Sequence, residues 1–128
     1  MAYVLDTNVV IHLRDGHALV AEKIAALDDA VVMSIVTRVE LEGGVYRDPE
    51  QAVSRRARLD VILSAIPALA FDVAAADAYA GIVARQDYSS RKLLGRMIAA
   101  QALVHRATLV TMNKEDFSAI PGLKLLMW

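Results

Sequence analysis

Short β-prone apolar runs alternate along this chain with stretches of helical period. Tyr3-Val4-Leu5 is the first run; it ends at Asp6, and Thr7 and Asn8 follow as helix-capping residue types ahead of Val9, Val10 and Leu13. The spacing predicts a second amphipathic helix from Ala18 to Leu27, leading through Asp28 and Asp29 into a buried strand over Ala30-Val31-Val32-Met33-Ser34. From Thr37 the helical period returns, with Val39, Leu41 and Val45 on one face, Gly43 and Gly44 weakening its end and Pro49 closing it. A helix over residues 51–66 is expected to turn Val53, Ala57, Val61, Ile62 and Ala65 to the core and Arg55, Arg56 and Arg58 to solvent. Beyond it the pattern predicts a short strand at Leu69-Ala70-Phe71 and an alanine-rich helix from Val73 to Val83 with Tyr79 among its core residues. A loop at residues 87–90 and a helix over Leu94–His105 follow. The strand Thr108-Leu109-Val110-Thr111 leads to Asn113, and a last strand runs from Leu123 to Met127.

Strands that alternate with helices require crossovers passing over the sheet, which predicts a three-layer α/β/α sandwich with a central, mostly parallel sheet. With 128 residues, no internal repeat and no Gly/Ser- or Pro-rich linker, the chain is expected to form one domain over residues 1–128. The hydrophobic fraction of 56% excludes a disordered chain and leaves apolar surface for a partner, with a homodimer the simplest arrangement. Without cysteine neither a disulfide framework nor a thiolate metal site is available, and with no basic leader or long apolar run the expectation is a cytoplasmic protein without a membrane segment. A net charge of −1 means that any nucleic-acid contact must come from local patches.

In open α/β sheets ligands bind beyond the carboxyl ends of the strands. Asp6 ends the first strand, Glu40 lies about one and a half helical turns past Ser34, and Asp116 follows Thr111, so three carboxylates are expected to meet at one edge, within reach of a common cation. Such hard oxygen donors suit Mg²⁺ or Mn²⁺, and no His or Cys cluster offers a zinc alternative. Each acid also has a purely structural reading. Asp6 and the segment Asn113-Lys114-Glu115-Asp116 suit helix caps, and Thr37-Arg38-Val39-Glu40 matches a capping box.

The segments YVLDTNVVI, SIVTRVELEGG and MIAAQALVHRATLVTMNKEDFSAIPGL, in that order and nearly end to end, resemble the PIN-domain family and within it the VapC toxins of toxin–antitoxin pairs; FDVAAADAYAGI is a weaker match. The resemblance implies a parallel α/β/α sheet, a homodimer, about four acids around one or two Mg²⁺ or Mn²⁺ ions, and cleavage of RNA, with tRNA the foremost candidate. It assigns Asp6, Glu40 and Asp116 to metal binding and catalysis, and Thr7, Ser34, Thr111 and Asn113 to orienting those carboxylates. It further implies a VapB-type antitoxin as partner and contact with promoter DNA only through that complex. The fourth acid is absent: three residues before the isoleucine of IAA, where these toxins carry a metal-binding aspartate, stands Gly95. The resemblance therefore implies a weakened or silent nuclease, and as the alternative a catalytically dead domain that binds its antitoxin and serves as a co-repressor module.

Arg91, Lys92 and Arg96 flank the expected site and are the preferred cations for RNA phosphates. The aromatic residues form no stacking row of the kind that single-strand binders use. A receiver-like phosphotransfer domain fits poorly because Asp6 has no adjacent acid, and a haloacid-dehalogenase-like phosphatase wants a second aspartate where Asn8 stands.

Overall fold

The computed structural model describes residues 2–128, within which lie five strands and six α-helices. In chain order these are β1 (Tyr3–Leu5), α1 (Thr7–Arg14), α2 (Ala18–Ala25), β2 (Val31–Ser34), α3 (Ile35–Arg47), α4 (Ala52–Ala65), β3 (Ala68–Leu69), α5 (Val73–Gln86), α6 (Leu93–Val104), β4 (Thr108–Thr111) and β5 (Lys124–Met127), with a 3₁₀ turn at Pro49–Gln51. The strands form one sheet in the order β3-β2-β1-β4-β5, and every adjacent pair is parallel.

Alternation along the central strands feeds two cores. Val4 of β1 and Leu109 of β4 join Ile82 of α5 and Ile98, Ala99 and Ala102 of α6 on one face. Leu5 and Val110, one residue on, point the other way and pack with Val9 and Val10 of α1, Val20 of α2, Leu41 and Val45 of α3, and Leu59 and Ile62 of α4. These are the two outer layers of the α/β/α sandwich. Among the described residues no helix is long and apolar enough to cross a membrane.

The helix-cap reading of Asp6 is met, since its carboxylate accepts the Thr7 N–H at the start of α1, with Thr7 and Asn8 inside the helix. Three other local expectations are corrected by the structure. The helix α3 starts at Ile35, directly from the end of β2, because the Ser34 hydroxyl accepts the Val36 N–H and caps it there. Thr37 is therefore inside the first turn, and the Thr37–Glu40 capping box does not form. Val39, expected in the core, is exposed, whereas Leu41 and Val45 are buried. The largest difference is in α4, where Val53 and Val61 are 85% and 68% exposed, Ala57 and Ala65 are exposed too, and the buried face is Leu59 and Ile62, followed by Ile66. Of the arginines expected at solvent, Arg58 is exposed, with its guanidinium reaching the Arg14 carbonyl at the end of α1, while Arg55 is half-buried and donates to the Gly44 carbonyl of α3.

Candidate active site

The strand order reverses between β1 and β4, which pair in parallel with Leu5 opposite Val110. The residues that follow these partners, Asp6 and Thr111, meet at the carboxyl edge of the sheet, where such folds open a crevice. The Asp6 N–H donates to the Val110 carbonyl at 2.9 Å, extending the ladder by one bond. Both oxygens of its carboxylate are then engaged: Oδ1 accepts the Thr7 N–H at 2.9 Å and Oδ2 accepts the Thr111 hydroxyl at 2.8 Å.

From this centre two hydrogen-bonded arms reach the other acids. Thr111 Oγ1 accepts the Asn113 N–H at 3.0 Å, and the Asn113 side-chain amide donates to Asp116 Oδ2 at 2.6 Å. On the opposite side, Thr7 Oγ1 donates to Glu40 Oε1 at 3.0 Å and stands 2.9 Å from Thr37 Oγ1. A hydroxyl has one proton, so Thr7 gives it to Glu40 and accepts that of Thr37. Thr37 thus belongs to the site although its sequence context suggested a cap. Its spacing three residues before Glu40, which puts both on one helix face, was the signal available.

Asp6 is only 8% exposed. Its carboxyl is held above the ordinary range, chiefly because burial disfavours the charge; the donors Thr111 and Thr7 act in the opposite direction, and the nearby Asp116 carboxylate adds to the rise. Among the described residues no ion pair reaches Asp6 or Glu40, and the one on Asp116 is a loose contact of 3.8 Å from the exposed Arg91.

Asp6, Glu40 and Asp116 line one open cleft of about 280 Å³, together with Thr7, Asn113 and Gly95. Asn8, Ser90 and Arg91 also line it, the first two without a site role expected from the sequence. Sharing a cleft is not the same as forming a cluster: among the described residues no three His, Cys, Asp or Glu side chains gather closely enough to hold a metal ion between them. The expected convergence of the three acids within reach of a common cation is thus not met in this arrangement. Each carboxylate has its own donors instead: Thr7 N–H and Thr111 on Asp6, the Thr7 hydroxyl on Glu40 and Asn113 on Asp116. The residues nonetheless fit a hard divalent cation, since every candidate donor is oxygen and a desolvated carboxylate sits at the centre without a cationic partner.

Gly95 lies in the first turn of α6 and faces the cleft, with the Phe117 ring alongside; a Cβ there would meet Phe117 Cζ at 3.4 Å and Cε1 at 3.5 Å, ordinary contact distances. Three expected roles change. Ser34 is fully buried and its hydroxyl is committed to the cap of α3 rather than to an acid. Arg96 is buried with its guanidinium on the carbonyls of Gln86 and Asp87, so it is no free cation for phosphate. Lys92 is half-buried at the cap of α6 and does not line the cleft. Arg91 alone of the three stands at the opening.

Comparison with known proteins bears on the fold and the family. The family model described as PIN domain matches residues 3–123. A protein named Ribonuclease VapC2, from Rickettsia felis, is 28% identical over 134 residues, covering 100% of this chain and 98% of that protein. The crystal structure of VapBC2 from Rickettsia felis, bound to a DNA fragment from the promoter, superimposes with a TM-score of 0.90 at 24% identity, covering 100% of this chain and 99% of that chain. VapBC-1 from nontypeable Haemophilus influenzae gives a TM-score of 0.80 at 27% identity, covering 100% and 98%.

Proposed function

The chain belongs to the PIN-domain family, and from that premise we propose that it is a VapC-type endoribonuclease, the toxin of a toxin–antitoxin pair, weakened by the loss of an acid at Gly95. The observation that carries this reading is Asp6. A buried carboxylate aimed by Thr7 and Thr111, flanked in one cleft by Glu40 and Asp116 and lacking a protein cation, is a costly arrangement for a fold to keep. The named similarity to a ribonuclease over the full chain supports the substrate class.

Asp6, Glu40 and Asp116 would hold Mg²⁺ or Mn²⁺. Once bound, such an ion supplies an activated water and neutralises charge that grows on a phosphate. The chain's own residues do the positioning. Thr111 and the Thr7 N–H fix Asp6, the Thr37–Thr7 relay aims Glu40, and Asn113 aims Asp116. Arg91, mostly exposed beside Asp116, is the group best placed to meet an RNA phosphate. The partners of this reading are RNA, with tRNA the candidate substrate, a VapB-type antitoxin, a second copy of the chain as homodimer, and promoter DNA reached only through the antitoxin complex, all in the cytoplasm.

The test is restoration. Gly95→Asp, Gly95→Ala and the unsubstituted protein are compared for Mg²⁺- and Mn²⁺-dependent cleavage of bulk tRNA. Gly95→Asp is expected to gain about 10²-fold or more, the scale of a repaired misplacement at a reacting centre, while Gly95→Ala gains nothing. Equal rates in all three would remove Gly95 from the account, and no cleavage in any of them, with metal present, would remove the nuclease. The absence of a carboxylate at Gly95 favours one second reading, an antitoxin-binding co-repressor module without catalysis. It predicts co-purification with a small antitoxin and no cleavage even after Gly95→Asp.

A further inference from the structure

Arg96 is 3% exposed, yet among the described residues it makes no ion pair. Its guanidinium donates to the Asp87 carbonyl at 2.7 Å and the Gln86 carbonyl at 3.4 Å, while its buried Nε has no partner. Those carbonyls end α5, where the partial negative charge of the helix terminus favours a cation. The bond falls where the backbone needs holding: Asp87 adopts φ 62° and ψ 161°, a conformation left almost entirely to glycine and kept by other residues only when their surroundings impose it.

The same few residues also reach the turn after β4. The Gln86 side-chain amide, whose own carbonyl Arg96 grips, donates to the Ala119 carbonyl at 2.7 Å, and Phe117 packs beside Gly95, the neighbour of Arg96. Three chain segments are thereby joined away from the acids: the end of α5, the start of α6 and the turn after β4 that carries Asp116. Between the first two runs the loop of residues 87–92, which presents Ser90 and Arg91 to the cleft, with Arg91 3.8 Å from Asp116.

We propose that Arg96 is a positioning residue that, with Gln86, latches the 87–92 loop to the 113–120 turn and so sets Arg91 opposite Asp116 at the mouth of the cleft. Arginine suits the task because its planar fork spans two successive carbonyls, and lysine reaches only one at a time. The consequence for RNA rests on the nuclease reading; the latch itself does not.

Amide hydrogen exchange and tRNA binding test the two parts separately, using Arg96→Met, Arg96→Lys and Gln86→Ala in the full chain. Arg96→Met is expected to speed exchange in both the 87–92 and 116–120 segments by about tenfold or more, the factor that a charge-assisted hydrogen bond carries, with β1 and β4 unchanged. Arg96→Lys recovers part of the protection. Gln86→Ala loosens the 116–120 segment with Arg96 intact, and decides the matter if Arg96→Met does not fold. Binding of fluorescently labelled bulk tRNA, read by anisotropy, is expected to weaken about fivefold in Arg96→Met and Gln86→Ala, the scale of one lost hydrogen bond. Loosening of the 87–92 loop alone would reduce Arg96 to a local cap and overturn the latch, and loosening of both segments with tRNA binding intact would overturn the positioning role. If the unsubstituted chain binds no tRNA, the nuclease reading fails instead, and the exchange comparison alone decides the latch.

Discussion

The carboxylate of Asp6 combines burial with two donors and no cation, and burial has the larger effect on its proton affinity. Because its folded-state pKa lies above the ordinary value of 3.8, the folded protein takes up this proton before the unfolded chain does as pH falls. The stability tied to Asp6 is thus complete below the unfolded pKa and is lost as pH rises through the folded one. Asp6→Asn is accordingly expected to raise the melting temperature at pH 7, with the gain over the unsubstituted protein shrinking as pH approaches the ordinary carboxylate range. A thermal denaturation series in pH checks this, and a lower melting temperature for Asp6→Asn at pH 7 contradicts it. Mg²⁺ or Mn²⁺ should raise the melting temperature of the unsubstituted protein and not that of Asp6→Asn, since only a ligand that favours the folded state stabilises it.

At the scale of elements, α3 and α4 decide which side chains reach the cleft and which reach the core. Ser34 caps α3 from a fully buried position, so Ser34→Ala leaves the Val36 N–H without its partner and is expected to cost about 1–2 kcal/mol in urea unfolding. The orientation of α4 makes a sharper comparison. Leu59→Ala should cost about 2–5 kcal/mol, as large-to-small changes in a packed core do, whereas Val53→Ser on the exposed face should stay within about 0.5 kcal/mol. The reverse ranking would restore the helix face that apolar spacing alone suggested. That spacing misled because valine and alanine carry little packing information on a helix whose arginines also lie against their neighbours.

Across the whole molecule the two cores share β1 and β4, with Val4 and Leu109 serving one and Leu5 and Val110 the other. Neither outer layer has a sheet of its own to pack on, so unfolding is expected in one cooperative step. Far-ultraviolet circular dichroism and fluorescence of Trp128, which packs against the second core and under the Lys23 ammonium, should give coincident transitions in urea. Separate midpoints would divide the chain into two units. Much of this architecture was legible in the sequence: β1 and β4 were read to the residue, because β-branched and apolar runs bounded by Asp6 and Asn113 admit little else, and the βα alternation by itself required a covered parallel sheet. The chain order of Asp6, Glu40 and Asp116 after their strands likewise indicated a shared edge. Hydrogen-bond partners were not legible, because a hydroxyl or guanidinium has several chemically equal uses and only the packed neighbours select one. Tertiary structure alone committed Ser34 to a cap and buried Arg96 on helix carbonyls, and it gave Thr37, whose spacing from Glu40 was the sequence's one hint, its place in the site. It also shifted the buried face of α4, keeping Ile62 inside but replacing Val53 and Val61 by Leu59, since a helix face is chosen by what the adjoining helices present to it.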